Sequence, residues 1–158
     1  MTPRRRPALR AAPLTALLLL AVTACSSSGD AGEVVPPTPD AAAARICDAL
    51  LDAVPDSVAG LERRETEPAS RFTTAWGDPA VVLRCGVVRP EEMNNPRAPG
   101  ARLGGVDWML EDPRDGRYRC TTALRKVYVE VAIPGKYGDV QALEDLAPAI
   151  RKTVPAGV

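Results

Sequence analysis

The residues able to do covalent or acid–base chemistry in this chain are few, and their spacing narrows what they can do. Histidine is absent from all 158 residues. Without an imidazole, Ser-His-Asp and Cys-His arrangements cannot form, and the commonest base at neutral pH is missing. The four cysteines, Cys25, Cys47, Cys85 and Cys120, stand far apart, unlike the short ligand spacings of thiolate zinc sites. No metal and no cofactor is expected. Serine is almost confined to positions 26–28; of the other two, Ser57 and Ser70, neither lies in a Gly-x-Ser-x-Gly context. Gly100 and Gly104-Gly105 lack the strand–helix frame of a phosphate-cradling loop. Carboxylates remain: Asp78, Asp107, Glu111 and Asp112 could supply an acid/base pair for glycoside chemistry. Asp78, within Gly-Asp-Pro, reads more simply as a turn residue. Asp112 and Asp115 flank a turn without the ligand spacing of a calcium loop. No catalytic residue is therefore assigned, and a carboxylate-dependent cell-envelope hydrolase stands as the alternative to a non-catalytic role.

Cys25 calls for different chemistry. Arg4, Arg5, Arg6 and Arg10 precede an apolar run, Leu14 to Val22, and then the small residues Thr23 and Ala24. Charge, a short apolar stretch and small residues, in that order, form the layout of a secretory signal. The run is too short for the ~20 residues of a membrane-spanning helix. Val22-Thr23-Ala24-Cys25 resembles the bacterial lipobox, which implies a diacylglycerol on the Cys25 thiol and cleavage after Ala24. Two acyl chains give stable anchoring where one is marginal. The expected location is the outer face of the cytoplasmic membrane.

Removal of residues 1–24 takes away four arginines and no acid, leaving 16 basic against 20 acidic residues, a net of −4. Such a chain is a poor partner for nucleic acid. Residues 25–39 are rich in serine, glycine and proline and read as a flexible tether. Residues 40–158 read as a single domain.

Within that domain, Asp40 is placed to cap a helix over 41–54, stopped by Pro55. Its stripe of Ala43, Ile46, Cys47, Leu50 and Val54 faces inward, and Asp48 and Asp52 face solvent. Val58 to Thr66 reads as a weak edge strand because it carries four charges. Prolines bracket residues 80–88, the clearest strand, with Val81, Leu83, Cys85 and Val87 on one face and Arg84 on the other. Residues 89–105, crowded with proline, glycine and asparagine, read as a long loop. Strands follow over 106–111, 118–124 and 127–133. Buried parity switches from even (Cys120, Leu124) to odd (Val127, Val129, Val131), which requires a bulge or tight turn near Arg125-Lys126. A last helix, opened by Asp139, should kink at Pro148. Trp76 and Trp108 are expected in the core.

The Trp76-Gly77-Asp78-Pro79 turn, Leu83-Arg84-Cys85-Gly86-Val87 and Val127-Tyr128-Val129-Glu130-Val131 together resemble an actinobacterial exported lipoprotein family catalogued as a domain of unknown function. The likeness covers most of 45–155. It implies a small extracytoplasmic domain and carries over no activity and no catalytic residues.

The expected fold is α+β: a mostly antiparallel sheet of four to five strands with an N-terminal and a C-terminal helix packed on one face. In an exported domain Cys47, Cys85 and Cys120 are open to oxidation. Helix against sheet brings Cys47 to Cys85, the favoured disulfide, with Cys120 as competitor. The expected function is a membrane-anchored binding or accessory module of the cell envelope. Its partners would be the membrane, through the lipid on Cys25, and an unknown envelope protein or small ligand. Glu91, Glu92, Arg97 and Arg102 on the 89–105 loop form the expected contact surface, because long loops in compact domains are often functional.

Overall fold

The computed structural model describes residues 34–114, 116–138 and 140–157, with the side chains of 112–114 left aside. The leader, the lipobox and Cys25 lie outside the described residues, as does Asp139. Helix α1 spans Ala41–Ala53. Eight strands follow: β1 Ser57–Val58, β2 Leu61–Arg64, β3 Thr73–Trp76, β4 Val81–Val87, β5 Gly100–Leu103, β6 Val106–Arg114, β7 Arg117–Thr122 and β8 Tyr128–Pro134. Helix α2, Gln141–Thr153, ends the domain. All strand pairs are antiparallel, in the order β1-β2-β3-β4-β8-β7-β6-β5.

The class is therefore α+β, but the sheet has eight strands rather than four to five. Three short elements account for the difference. The span expected as one strand over 58–66 folds back at Ala59-Gly60 into β1 and β2, both turn residues having positive φ. Residues 73–76 form β3 ahead of the Gly-Asp-Pro turn, where only a turn was expected. The third is β5, inside the segment expected to be a loop. Leu103 pairs with Val106 across Gly104-Gly105, at φ 55° and 80°, the two-residue hairpin that a Gly-Gly pair favours.

Helix placement differs as well. The two helices do not lie side by side on an open face. Helix α2 packs on α1 and touches β1 as well as β5 and β6, the two ends of the strand order, so the sheet curls around it. On one side the Ala59 amide donates to Asp145 Oδ2 at 2.8 Å. On the other, a Cβ at Gly104 would lie 2.4 Å from the Ala147 Cβ. Residues two apart on a helix point to nearly opposite sides, which is how one helix serves both edges. Pro148 does not break α2, which runs unbroken to Thr153. The packed Gly104 turn lies against the Glu144 carbonyl that loses its intrahelical donor.

Asp40 caps α1 as expected, accepting from the Ala42 and Ala43 amides at 2.9 and 2.8 Å. The main core gathers Cys47 and Leu50 of α1, Leu83 and Cys85 of β4, Val129 and Val131 of β8, and Leu143, Leu146 and Ile150 of α2. Trp76 and Trp108 are buried in it. Cys47 and Cys85 form a disulfide with Cα atoms 5.5 Å apart, and Cys120 is free and buried. The parity switch falls in the turn between β7 and β8, where Leu124 has φ 55°.

A second, smaller cluster lies on the sheet face away from the helices: Val34, Ala75, Ala80, Val82 and Ala132. Residues 34–39, expected within the flexible tether, are held there. Val34 is 6 % exposed, Val35 O accepts from Arg84 at 3.0 Å, and Pro39 closes on Gly86. A Cβ at Gly86, itself at φ 87°, would meet Pro39 at 2.7 Å, and the β4 register shifts around it.

Candidate functional site

An open groove of about 1010 Å³ lies between α1, β2 and the segment leading into β3. Its walls follow from three local arrangements. Arg63, projecting from β2, donates through Nη2 to Leu51 O at 2.9 Å and through Nε to Thr74 Oγ1 at 3.0 Å. It thereby supplies a cation and a donor to the free carbonyls at the C-terminal end of α1. Arg71 donates through Nε to Asp48 Oδ1 at 2.9 Å and pairs with Oδ2 as well, a two-point contact that fixes the planar guanidinium. Between these anchors the chain passes a cis Glu67–Pro68 bond, and Thr66 Oγ1 and Thr73 Oγ1 share a 2.5 Å hydrogen bond. The groove is thus a built feature of the fold.

Its rim keeps charge in hand. Asp52, Asp56 and Glu65 line the groove, are exposed, and make no ion pair among the described residues. Arg64 donates to Gly77 O at 3.3 Å. Hydroxyls of Ser70, Thr66, Thr73 and Thr74 complete the lining. Such a surface suits a polar partner that offers cationic groups to the acids and hydrogen bonds to the rest.

A second polar arrangement lies under residues 35–38 on the opposite sheet face. Arg84 Nε and Nη2 donate to Glu130 Oε1 and Oε2 at 3.0 and 3.1 Å, and Arg119 Nη1 lies 3.7 Å from Oε1. Glu130 is buried, so its charge is matched on two sides. The neighbouring pocket of about 330 Å³ is lined by Val35, Pro36, Pro37, Thr38, Arg84, Gly86, Val87, Val88 and Glu130.

The carboxylates named from the sequence do not converge. Asp78 lies in the turn between β3 and β4, before a cis proline. Asp107 and Glu111 share a face of β6, four residues apart, a separation of about 13 Å along a strand. Paired glycosidase carboxylates stand about 5–9.5 Å apart. Asp107 is paired with Arg102 at 3.6 Å. Asp112 lies further along β6, its side chain not described. Among the described residues no group of three histidine, cysteine or acidic side chains is arranged to hold a metal.

The 89–105 segment is more ordered than a loop. Glu91–Asn94 form a 3-10 turn, Arg89 donates to Asn94 Oδ1 at 2.5 Å and to Met93 O at 3.0 Å, and Asn95 donates to Glu92 Oε1 at 2.6 Å. The Arg97 amide donates to Asn95 Oδ1 at 2.9 Å. Glu91, Glu92 and Arg97 remain exposed, while Arg102 belongs to β5. Local hydrogen bonding, strong for asparagine, organises what composition alone suggested was irregular.

Cys120 is no nucleophile at neutral pH. Burial, and then the charges of Glu111 and Glu130, push its thiol up to about 11, and the thiolate is the reactive form. Trp76 Nε1 donates to Pro55 O at 3.0 Å, whereas Trp108 Nε1 has no hydrogen-bond partner among the described residues. Both act in packing.

Sequence reading named the binding loop and missed the groove. Its signal was present as Asp48 and Asp52, one turn apart on the polar face of α1, and as Arg63-Arg64 on the strand that returns to it. Their meeting depends on the tight Ala59-Gly60 turn, which was not recognised.

No curated protein and no solved structure matches the chain. Residues 8–158 match the family described as Protein of unknown function (DUF3515). A match over nearly the whole chain, including the groove, both helices and all eight strands, places this protein in that family.

Proposed function

We propose that this protein is a lipid-anchored, extracytoplasmic binding or accessory module of the cell envelope, and that it binds through the groove beside α1. The supporting observation is the groove itself: walls fixed by Arg63 and Arg71 and a rim whose Asp52, Asp56 and Glu65 are left for a partner. The leader and Cys25 support anchorage outside the cytoplasm, and the Cys47–Cys85 disulfide is in keeping with an oxidising compartment. The partner is an envelope protein or small ligand with cationic and hydrogen-bonding groups. Charge reversal at the rim, Asp52→Lys with Glu65→Lys, tests this. Capture of envelope components by the membrane-tethered protein should fall at least tenfold, the effect of about 1.4 kcal/mol, with an unchanged unfolding midpoint. Capture unaffected by rim reversal, together with loss of envelope turnover in Asp78→Ala, Asp107→Ala or Glu111→Ala, would point to the hydrolase instead.

A further inference from the structure

Three of the large apolar side chains that the described residues expose lie toward one end of the sheet, where β4 runs out and β7 turns into β8. Val35, Val88 and Leu124 are 67, 89 and 65 % exposed. Val35 and Val88 share a rim with Pro36 and Pro37. Val88 follows Val87, which pairs with Tyr128, so it stands beside the turn that presents Leu124.

That turn is rigidly mounted. The Gly157 amide donates to Leu124 O at 2.8 Å, the Lys126 amide to Pro155 O at 3.0 Å, and Arg125 Nη1 to Val154 O at 2.8 Å. The clamp sets Arg125 and Lys126 beside the last turn of α2, which carries Arg151 and Lys152. Segments 120–129 and 146–157 contain no acidic residue, and among the described residues no ion pair engages these four cations. The acids that share this end are engaged or set apart. Asp107 pairs with Arg102, Asp40 caps α1, and Glu91 and Glu92 sit on the 3-10 turn beyond Arg89.

Exposed aliphatic tips ringed by lysine and arginine are what a protein presents to the interface of an anionic bilayer. The described chain begins at Val34, nine residues after Cys25, against Ala80, Val82 and Ala132 nearer the start of β4, and residues 35–39 run from there to Gly86 near this end. Nine extended residues reach at most about 32 Å.

We propose that this end of the domain lies directly against anionic phospholipid headgroups, with Val35, Val88 and Leu124 entering the interface. The choice of bilayer surface rests on the anchored reading above; the contact itself rests on the patch. The test places the full chain, extracted from membranes, on vesicles of phosphatidylcholine, alone or mixed with phosphatidylglycerol. Leu124→Trp and Val88→Trp report depth by emission shift and by quenching from brominated acyl chains. Tyr118→Trp, on the strand end that pairs with Ile133, serves as the distant control. Quenching about twofold or more above that control, dependent on phosphatidylglycerol and reduced by Lys126→Glu with Lys152→Glu, is the expected result. Equal quenching at Leu124→Trp, Val88→Trp and Tyr118→Trp would overturn the contact. A mass measurement of Cys25 on the same sample separates the two readings. Lipid absent with quenching retained overturns only the anchor, and lipid present with equal quenching overturns only the contact.

Discussion

Cys47 and Cys85 are both fully buried, one on a helix and one on a strand, at a sequence separation of 38. Closing a loop of that length contributes roughly 4 kcal/mol on the chain-entropy estimate, a large part of a domain's ~5–15 kcal/mol. Replacing both by alanine should lower the denaturant midpoint by the equivalent of about 2–4 kcal/mol, and reductant should then have no further effect on the variant. Cys120 behaves in the opposite way, through its proton. Its folded-state pKa of about 11 lies above the ordinary value of 9.0, so the unfolded chain loses the proton first as pH rises. Stability from this group is complete below about pH 9 and falls by about 2–3 kcal/mol by pH 11. Urea melts of the wild type and of Cys120→Ala across that range should diverge, the variant losing the Cys120 part of the slope. The Cys47–Cys85 pairing was legible in the sequence, because helical and strand periods place both on facing surfaces, whereas Cys120 stood there as an open competitor.

At the scale of elements, β4, β6, β7, β8 and α1 were legible because each is long enough for its apolar period to show. The short pieces were not. β1 spans two residues and β3 and β5 four each, too few for a period to declare itself. They exist because tertiary partners complete them: Asp145 holds the β1–β2 turn and α2 receives the β5–β6 turn. The Gly104 contact is therefore a sharp test of the curled sheet. Gly104→Ala places a methyl 2.4 Å from Ala147 Cβ at φ 55° and should cost on the order of 3 kcal/mol, measured by thermal or denaturant unfolding. Asp145→Ala leaves the Ala59 amide without its acceptor and should cost about 1–2 kcal/mol. If both variants unfold like the wild type, α2 does not bridge the two edges.

For the whole molecule, the same wrapping that buries α2 brings β2 back across the end of α1 and so creates the groove. Sequence reading reached the α+β class and the disulfide, expected an extracytoplasmic compartment, and assigned the contact surface to the 89–105 segment. The groove was not legible because it joins residues from α1, β2 and the approach to β3 whose proximity depends on a two-residue turn. The central claim is that this anchored domain works by binding at that groove. A photo-crosslinking amino acid at Asp52, introduced into the full chain in intact cells, measures it most directly. The account predicts a discrete crosslinked adduct at Asp52 that is lost when Cys25→Ala prevents anchoring. Absence of any adduct at Asp52, with the same discrete adduct formed instead from Arg97 on the 89–105 segment, would contradict it.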